Sequence, residues 1–275
     1  MNLLVFIIVF TAVGGVLSVL AAAVFLLLTD RQRHQVLPHG ISFATGALLA
    51  VAFWGLIPHA FEKIGPEQFQ PLSGTILAGI LVFFVLEKLL IWRHCHYGSC
   101  EAHGDDGHSH EADHGHHGHH LVKSAGVLII VGDSIHNFVD GILIAAAFLT
   151  DVKLGIVTSL AVAAHEIPQE VGDFAILLES GYGKAKALFY NILSSLATVL
   201  GGILAYFSLD EMHASLPYFL ALAASSFIYI AVADLIPSLH KKTDLRTSLE
   251  QIALISAGVL LICLLHGYVH SLEFA

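Results

Sequence analysis

Two short stretches of the chain carry metal-ligating side chains at helical spacing. Residues 132–141 read GDSIHNFVDG and hold Asp133, His136, Asn137 and Asp140; residues 165–170 read HEIPQE and hold His165, Glu166, Gln169 and Glu170. Residues i and i+4 share a helix face. That aligns His136 with Asp140, His165 with Gln169 and Glu166 with Glu170. Asp133 falls one turn earlier on roughly the same side as His136, and Asn137 flanks that face. Imidazole, carboxylate and amide oxygen together suit Zn²⁺, Fe²⁺, Mn²⁺ or Cd²⁺; they suit Cu⁺ poorly, since it prefers thiolate or thioether. Both stretches lie in apolar surroundings, where an unpaired carboxylate is costly and a bound cation would offset that cost. Polar residues that only hold helices together would need one His or Asn per helix, and here each of two helices has three or more. Pro168 removes a backbone hydrogen bond and crowds the carbonyl near Ala164, freeing an oxygen beside the motif. Gly141 permits close helix approach.

The elements that position these residues are membrane-spanning helices. Of the 275 residues 56% are hydrophobic and only 12% charged, and the mean hydropathy is +0.78. A soluble domain carries about 25% charged residues. A bilayer crossing takes about 20 mostly apolar residues, and eight stretches qualify: 2–28, 39–61, 72–92, 121–149, 154–179, 186–208, 214–237 and 248–270. The expected fold is an all-α polytopic bundle, one transmembrane domain over 1–275, with the metal-ligating residues on the fourth and fifth helices. The first stretch has no basic leader and no small-residue cleavage site, so it reads as a span and not a signal peptide. The net charge of −10 excludes nucleic acid as a partner. The three cysteines, Cys95, Cys100 and Cys263, are no secreted disulfide framework.

Lys and Arg set the expected orientation. Arg31, Arg33, Arg93, Lys123, Lys184, Lys186, Lys241, Lys242 and Arg246 fall in one set of loops, with Lys88 nearby, and only Lys63 and Lys153 in the other. The first set is expected in the cytoplasm and both termini outside. The compact length and short external loops point to a bacterial inner membrane. Residues 94–120 form a low-complexity cytoplasmic loop with His94, Cys95, His96 and Cys100 at its start and eight further histidines. It has no apolar residues for a core and is expected to be disordered. Its thiols and imidazoles could collect or sense metal, or it could be a solvated linker.

Other intramembrane polar residues carry weaker signals. His59 near the outer end of the second stretch is either a gate or ligand for an incoming ion, or an interfacial histidine. Asp173 lies further along the fifth stretch, on a path an ion could leave by. Asn191, Ser194 and Ser195 are weak oxygen ligands or helix-packing residues.

The two motifs resemble those of the ZIP (Zrt/Irt-like) metal transporter family, closest to a histidine-rich subfamily with HNFxDG and HExPHE. Here they stand as His136-Asn137-Phe138-Val139-Asp140-Gly141 and His165-Glu166-Ile167-Pro168-Gln169-Glu170. The spans and the histidine-rich loop extend the resemblance over the whole chain. It implies an eight-helix bundle, Zn²⁺ uptake into the cytoplasm, homodimers and an elevator-like movement of one helix group against another. It also implies His136, Asn137, Asp140, His165 and Glu166 as ligands. Gln169 departs from the subfamily's His at that position. The second stretch has Val51 and Gly55 where some members carry polar residues. A neutral amide at 169 implies one principal metal site.

Two other functions fit parts of the sequence. An intramembrane zinc metallohydrolase needs HExxH, and Gln169 stands where its second imidazole belongs. A membrane metal sensor or buffer would act through the loop. An exporter would need a coupling device, and the sequence contains no P-loop.

Overall fold

The computed structural model describes residues 2–25, 27–95, 118–209, 213–240 and 244–271. Its helices are α1 (Leu3–Ala12), α2 (Ser18–Phe25), α3 (Asp30–Ala50), α4 (Ile57–Glu62), α5 (Phe69–Cys95), α6 (Gly118–Thr150), α7 (Val152–Glu179), α8 (Lys184–Leu209), α9 (Leu216–Tyr229), α10 (Ile236–Leu239) and α11 (Leu245–Ser271). Wider π-helical turns at Val13–Leu17, Val51–Leu56 and Ile230–Leu235 join α1 to α2, α3 to α4 and α9 to α10. Among the described residues the segments thus form eight rods, at the positions of the eight expected stretches.

Seven of these rods are long and apolar enough to cross a membrane. The remaining one, α7, has the length, with 28 residues. His165, Glu166, Gln169, Glu170 and Asp173 lower its hydropathy. The outward faces carry the large apolar side chains. Leu77, Leu81 and Phe84 on α5, Leu193, Leu196, Leu200 and Leu204 on α8, and Leu249, Ile252, Leu260 and Leu264 on α11 are all exposed. Water does not tolerate apolar surface this extensive, whereas lipid does, and helices satisfy their own backbone groups there. The chain is an all-α, multi-pass integral membrane protein.

Several boundaries differ from the expected ones for local reasons. α3 starts at Asp30, nine residues before the expected 39. A capping box at Thr29 and Gln32 starts it, each side chain bonding the other residue's backbone N–H, in a polar stretch that hydropathy cannot register. α5 runs through Cys95 and α6 begins at Gly118, so both ends of the segment expected to be a disordered loop are helical. The rest of it, residues 96–117, lies outside the described residues, with His96 and Cys100. Two π turns precede X-Pro steps, Ile57-Pro58 and Ile236-Pro237. Proline lacks an N–H and its ring crowds the carbonyl four residues back, and a widened turn relieves both.

The rods form two groups. In one, α6 lies along α8 and α7, with α1 and α2 against α7 and α8; in the other, α3 lies along α11 and α5 along α9. They meet chiefly where α3 crosses α7 and α6 meets α9. The α6–α8 seam is a backbone contact. A Cβ on Gly141 would lie 2.8 Å from Gly202 N and 2.8 Å from the Thr198 carbonyl carbon.

Candidate metal centre

A one-residue turn at Asp151 brings the two motifs level. The Asp151 carboxylate caps α7 by accepting from Lys153 N at 2.7 Å and Leu154 N at 3.0 Å. Asp140 and His136 lie 10 and 14 residues before the end of α6 at Thr150, and His165 and Glu166 lie 13 and 14 after the start of α7 at Val152. With equal rise per residue on both helices, the four side chains meet at one depth.

One ligand atom each from His136, Asp140, His165 and Glu166 lies within 4.8 Å of the other three. His136 Nε2 is 3.4 Å from His165 Nε2, 3.4 Å from Glu166 Oε1 and 3.8 Å from Asp140 Oδ2. His165 Nε2 is 3.4 Å from Asp140 Oδ2 and 3.5 Å from Glu166 Oε1. Zinc–ligand bonds of about 2.0–2.2 Å set tetrahedral ligand–ligand edges of about 3.3–3.6 Å. Four of the five measured separations fall in that range. The side chains of Asp140, His165 and Glu166 are each 1% exposed and that of His136 is 25% exposed. Both oxygens of Asp140 and of Glu166 are buried with no hydrogen-bond donor. Converging acceptors without donors are what a cation requires and what a neutral packing interface avoids. The ring of Phe227, on α9, closes the back of the site 6.3 Å from that of His165.

The other expected residues fall elsewhere. Asp133 faces α8 and not the quartet, accepting from Ser194 Oγ at 2.5 Å, Asn137 Nδ2 at 2.9 Å and Gln169 Nε2 at 3.5 Å. This corrects the face expected for it: position 133 is i−4 to Asn137, and the hydroxyls of α8 draw both towards them. Asn137 accepts through Oδ1 from Thr198 Oγ1 at 2.7 Å, so its amide points away from the quartet and into the α6–α8 seam. Glu170 is buried on α7 with both oxygens unpartnered. His59 Nδ1 donates to the Gly55 carbonyl at 2.8 Å, and its ring meets that of His266 edge-on at 5.7 Å, apart from the quartet. His94 and Cys95 end α5. Sequence reasoning missed Thr198. A signal was present: Asn191, Ser194, Ser195 and Thr198 recur at i, i+3, i+4 and i+7, one polar stripe on α8.

A cavity of about 500 Å³ opens onto His136. Asp133, Gln169 and Asp173 line one wall, and Glu87, Tyr229 and Asp234 the other. Tyr229 donates its hydroxyl to Glu87.

A helical membrane bundle with a buried imidazole–carboxylate quartet opening onto an acid-lined cavity has the construction of a divalent-metal carrier. Comparison with known proteins agrees. The family described as ZIP Zinc transporter matches residues 1–266. The chain is 31% identical over 265 residues to zinc transporter ZIP13 of Homo sapiens, covering 83% of this chain and 70% of the relative. It is 31% identical over 241 residues to ZIP13 of Pongo abelii, covering 83% of this chain and 66% of the relative. It is also 30% identical over 261 residues to zinc transporter ZIP4 of Homo sapiens, covering 78% of this chain and 40% of the relative. The chain spans about two thirds of the length of these ZIP13 relatives. It belongs to the ZIP zinc transporter family. It is a membrane carrier of zinc and not an enzyme, so neither the metallohydrolase nor the sensor reading is supported.

Proposed function

We propose that the protein carries Zn²⁺ into the cytoplasm, holding the ion as substrate between His136, Asp140, His165 and Glu166. The observation behind this reading is the set of separations between their ligand atoms, 3.4–3.8 Å, at a depth where the carboxylates have no other partner. Two imidazoles and two carboxylates match zinc's preference for mixed nitrogen and oxygen ligands. Glu170 adds a further buried carboxyl one turn along α7 from Glu166. Asn137 and Gln169 assist by holding Asp133. The ion passes between His136 and the cavity and leaves past Asp173 to the cytoplasm, where the residues of 94–120, His94, Cys95, His96 and Cys100 among them, collect it. Fe²⁺, Mn²⁺ and Cd²⁺ are the substrates that the same ligands would also admit.

In this reading all eight rods cross the membrane, α7 included. Both termini lie outside, on the distribution of Lys and Arg, and two copies associate as a homodimer. The bacterial inner membrane is the proposed setting on the strength of the short loops, although the relatives above are animal proteins. The test is ⁶⁵Zn²⁺ flux into proteoliposomes, wild type beside His165→Ala, with Mn²⁺, Fe²⁺ and Cd²⁺ as competitors. Saturable flux lost in a well-folded variant is the expected result. Equal flux in both would refute the site.

A further inference from the structure

A second pair of histidines repeats a ring geometry found in the quartet. The rings of His136 and His165 lie 5.7 Å apart at 88°, an arrangement in which their Nε2 atoms are 3.4 Å apart. The rings of His59, on α4, and His266, on α11, also lie 5.7 Å apart, at 87°. Two imidazoles bound to one zinc at about 2.0–2.1 Å stand with their ring centres about 5–6 Å apart. One ring of this pair is already set for such a role. A carbonyl only accepts, so His59 Nδ1 carries the proton that bonds the Gly55 carbonyl at 2.8 Å. The lone pair of the neutral ring is then on Nε2. Metal-binding histidines are fixed in this way, the second nitrogen donating to a carbonyl or carboxylate. Both residues are half-buried, within reach of ions at the end of the bundle.

The pair is remote from the quartet. His59 is three residues from the end of α4 at Glu62, and His165 is 13 from the start of α7 at Val152. Lys63 and Ile64 line one small cavity with Leu149 and Thr150, so these helix ends are level. At 1.5 Å per residue the pair lies about 15 Å nearer the end of the bundle. That end is opposite the larger cavity, which Ile41 and Glu87 line from the other ends of their rods. We propose that His59 and His266 hold a second Zn²⁺, bridging α4 and α11 at the end of the bundle away from the larger cavity. Two imidazoles suit Zn²⁺ and not Mg²⁺, which takes oxygen ligands. Water fills the remaining positions, so the ion exchanges more readily than in a closed four-ligand site. α11 packs along α3, in the same rod as α4, so the ion ties members of one helix group and does not bridge the two groups. On the orientation proposed above the site faces outside. The pairing itself rests neither on that orientation nor on the quartet.

The experiment is residue-resolved modification of the purified full chain by diethyl pyrocarbonate, which attacks a free imidazole nitrogen and is blocked by a bound metal. Mass spectrometry reads the rate at each histidine against Zn²⁺ concentration, so ions held by other histidines do not confuse the result. Zn²⁺ is expected to slow His59 and His266 several-fold with one common midpoint, and Mg²⁺ to slow neither. In His59→Ala, Zn²⁺ should no longer protect His266. His266→Ala is the reciprocal variant, read at His59, and replaces it if His59→Ala does not fold; the wild-type and His165→Ala measurements decide without either. In His165→Ala the protection of His59 and His266 should persist. Its loss there would mean that it is transmitted from the quartet, which overturns this proposal. Separate midpoints, or protection of one histidine that survives loss of the other, overturn the shared ion. Protection of His136 and His165 without protection of this pair overturns this proposal alone. Protection of the pair without protection of His136 and His165 supports it and removes the quartet reading.

Discussion

Replacing Gly141 with alanine should wedge α6 and α8 apart behind the proposed metal site. The added methyl would sit 2.8 Å from the Thr198 carbonyl carbon and 2.8 Å from Gly202 N. Carbon atoms settle at about 3.5 Å or more, and the Thr198 carbonyl oxygen lies closer still, so α6 and α8 must separate by more than about 0.7 Å. Both contacts are backbone, and no side chain can swing away. The Thr198–Asn137 hydrogen bond, 2.7 Å long and one turn from Gly141, would stretch to or past the limit of a useful contact. Overpacking of this kind costs about 1–3 kcal/mol, and the weakened buried hydrogen bond adds about 1 kcal/mol. At about 2 °C per kcal/mol for a chain of this size, the melting temperature of purified protein should fall by about 4–8 °C. Gly132 on the same helix is the control, because a Cβ there meets nothing within 4 Å. Gly132→Ala should keep or raise the melting temperature, since alanine favours helix by about 1 kcal/mol. Equal melting temperatures for Gly141→Ala and Gly132→Ala would refute the backbone-contact argument.

Glu166→Gln keeps the shape of the site and removes one charge. Zn²⁺ at about 100 times its Kd should stabilise the wild type by about 2.7 kcal/mol and the variant hardly at all. A zinc-dependent melting shift of equal size in both would remove Glu166 from the ligands. Thr29→Ala breaks the capping box at the start of α3 and should cost about 1 kcal/mol, read by chemical denaturation, with Zn²⁺ flux per folded molecule unchanged. A loss of flux would mean that this helix end takes part in transport.

The four residues of the quartet were among the eight that helical spacing marked on the two motifs. His136 and Asp140 are one turn apart, His165 and Glu166 are adjacent, and each group lies in a run too apolar to hold them without a purpose. The orientations of Asp133 and Asn137 were not legible, because helical periodicity gives an angle around α6 and leaves open which neighbour stands at that angle. The hydroxyls of Ser194 and Thr198 decide it, and in the sequence these read as ordinary small packing residues. The cavity was half legible. Asp173 stood out, but Glu87 and Asp234 join it only because α5 and α9 pack side by side. The early start of α3 escaped for a different reason: hydropathy measures fitness for lipid, and the Thr29 capping box is a signal for helix alone.

The step in exposure from His136, 25% exposed, to Asp140, His165 and Glu166, each 1% exposed, is also a step in hydration. A zinc ion in the cavity can keep most of its water shell while the carboxylates of Asp173, Asp133, Glu87 and Asp234 offset its charge from the walls. On the proposed route out, an ion among ligands that admit no water would pass His136, where water stands beside it, and regain its shell in the cavity. Stripping a divalent ion all at once is prohibitively costly. At the proposed site water would be exchanged for nitrogen and oxygen a molecule at a time, along the gradient of exposure from His136 to its three buried partners.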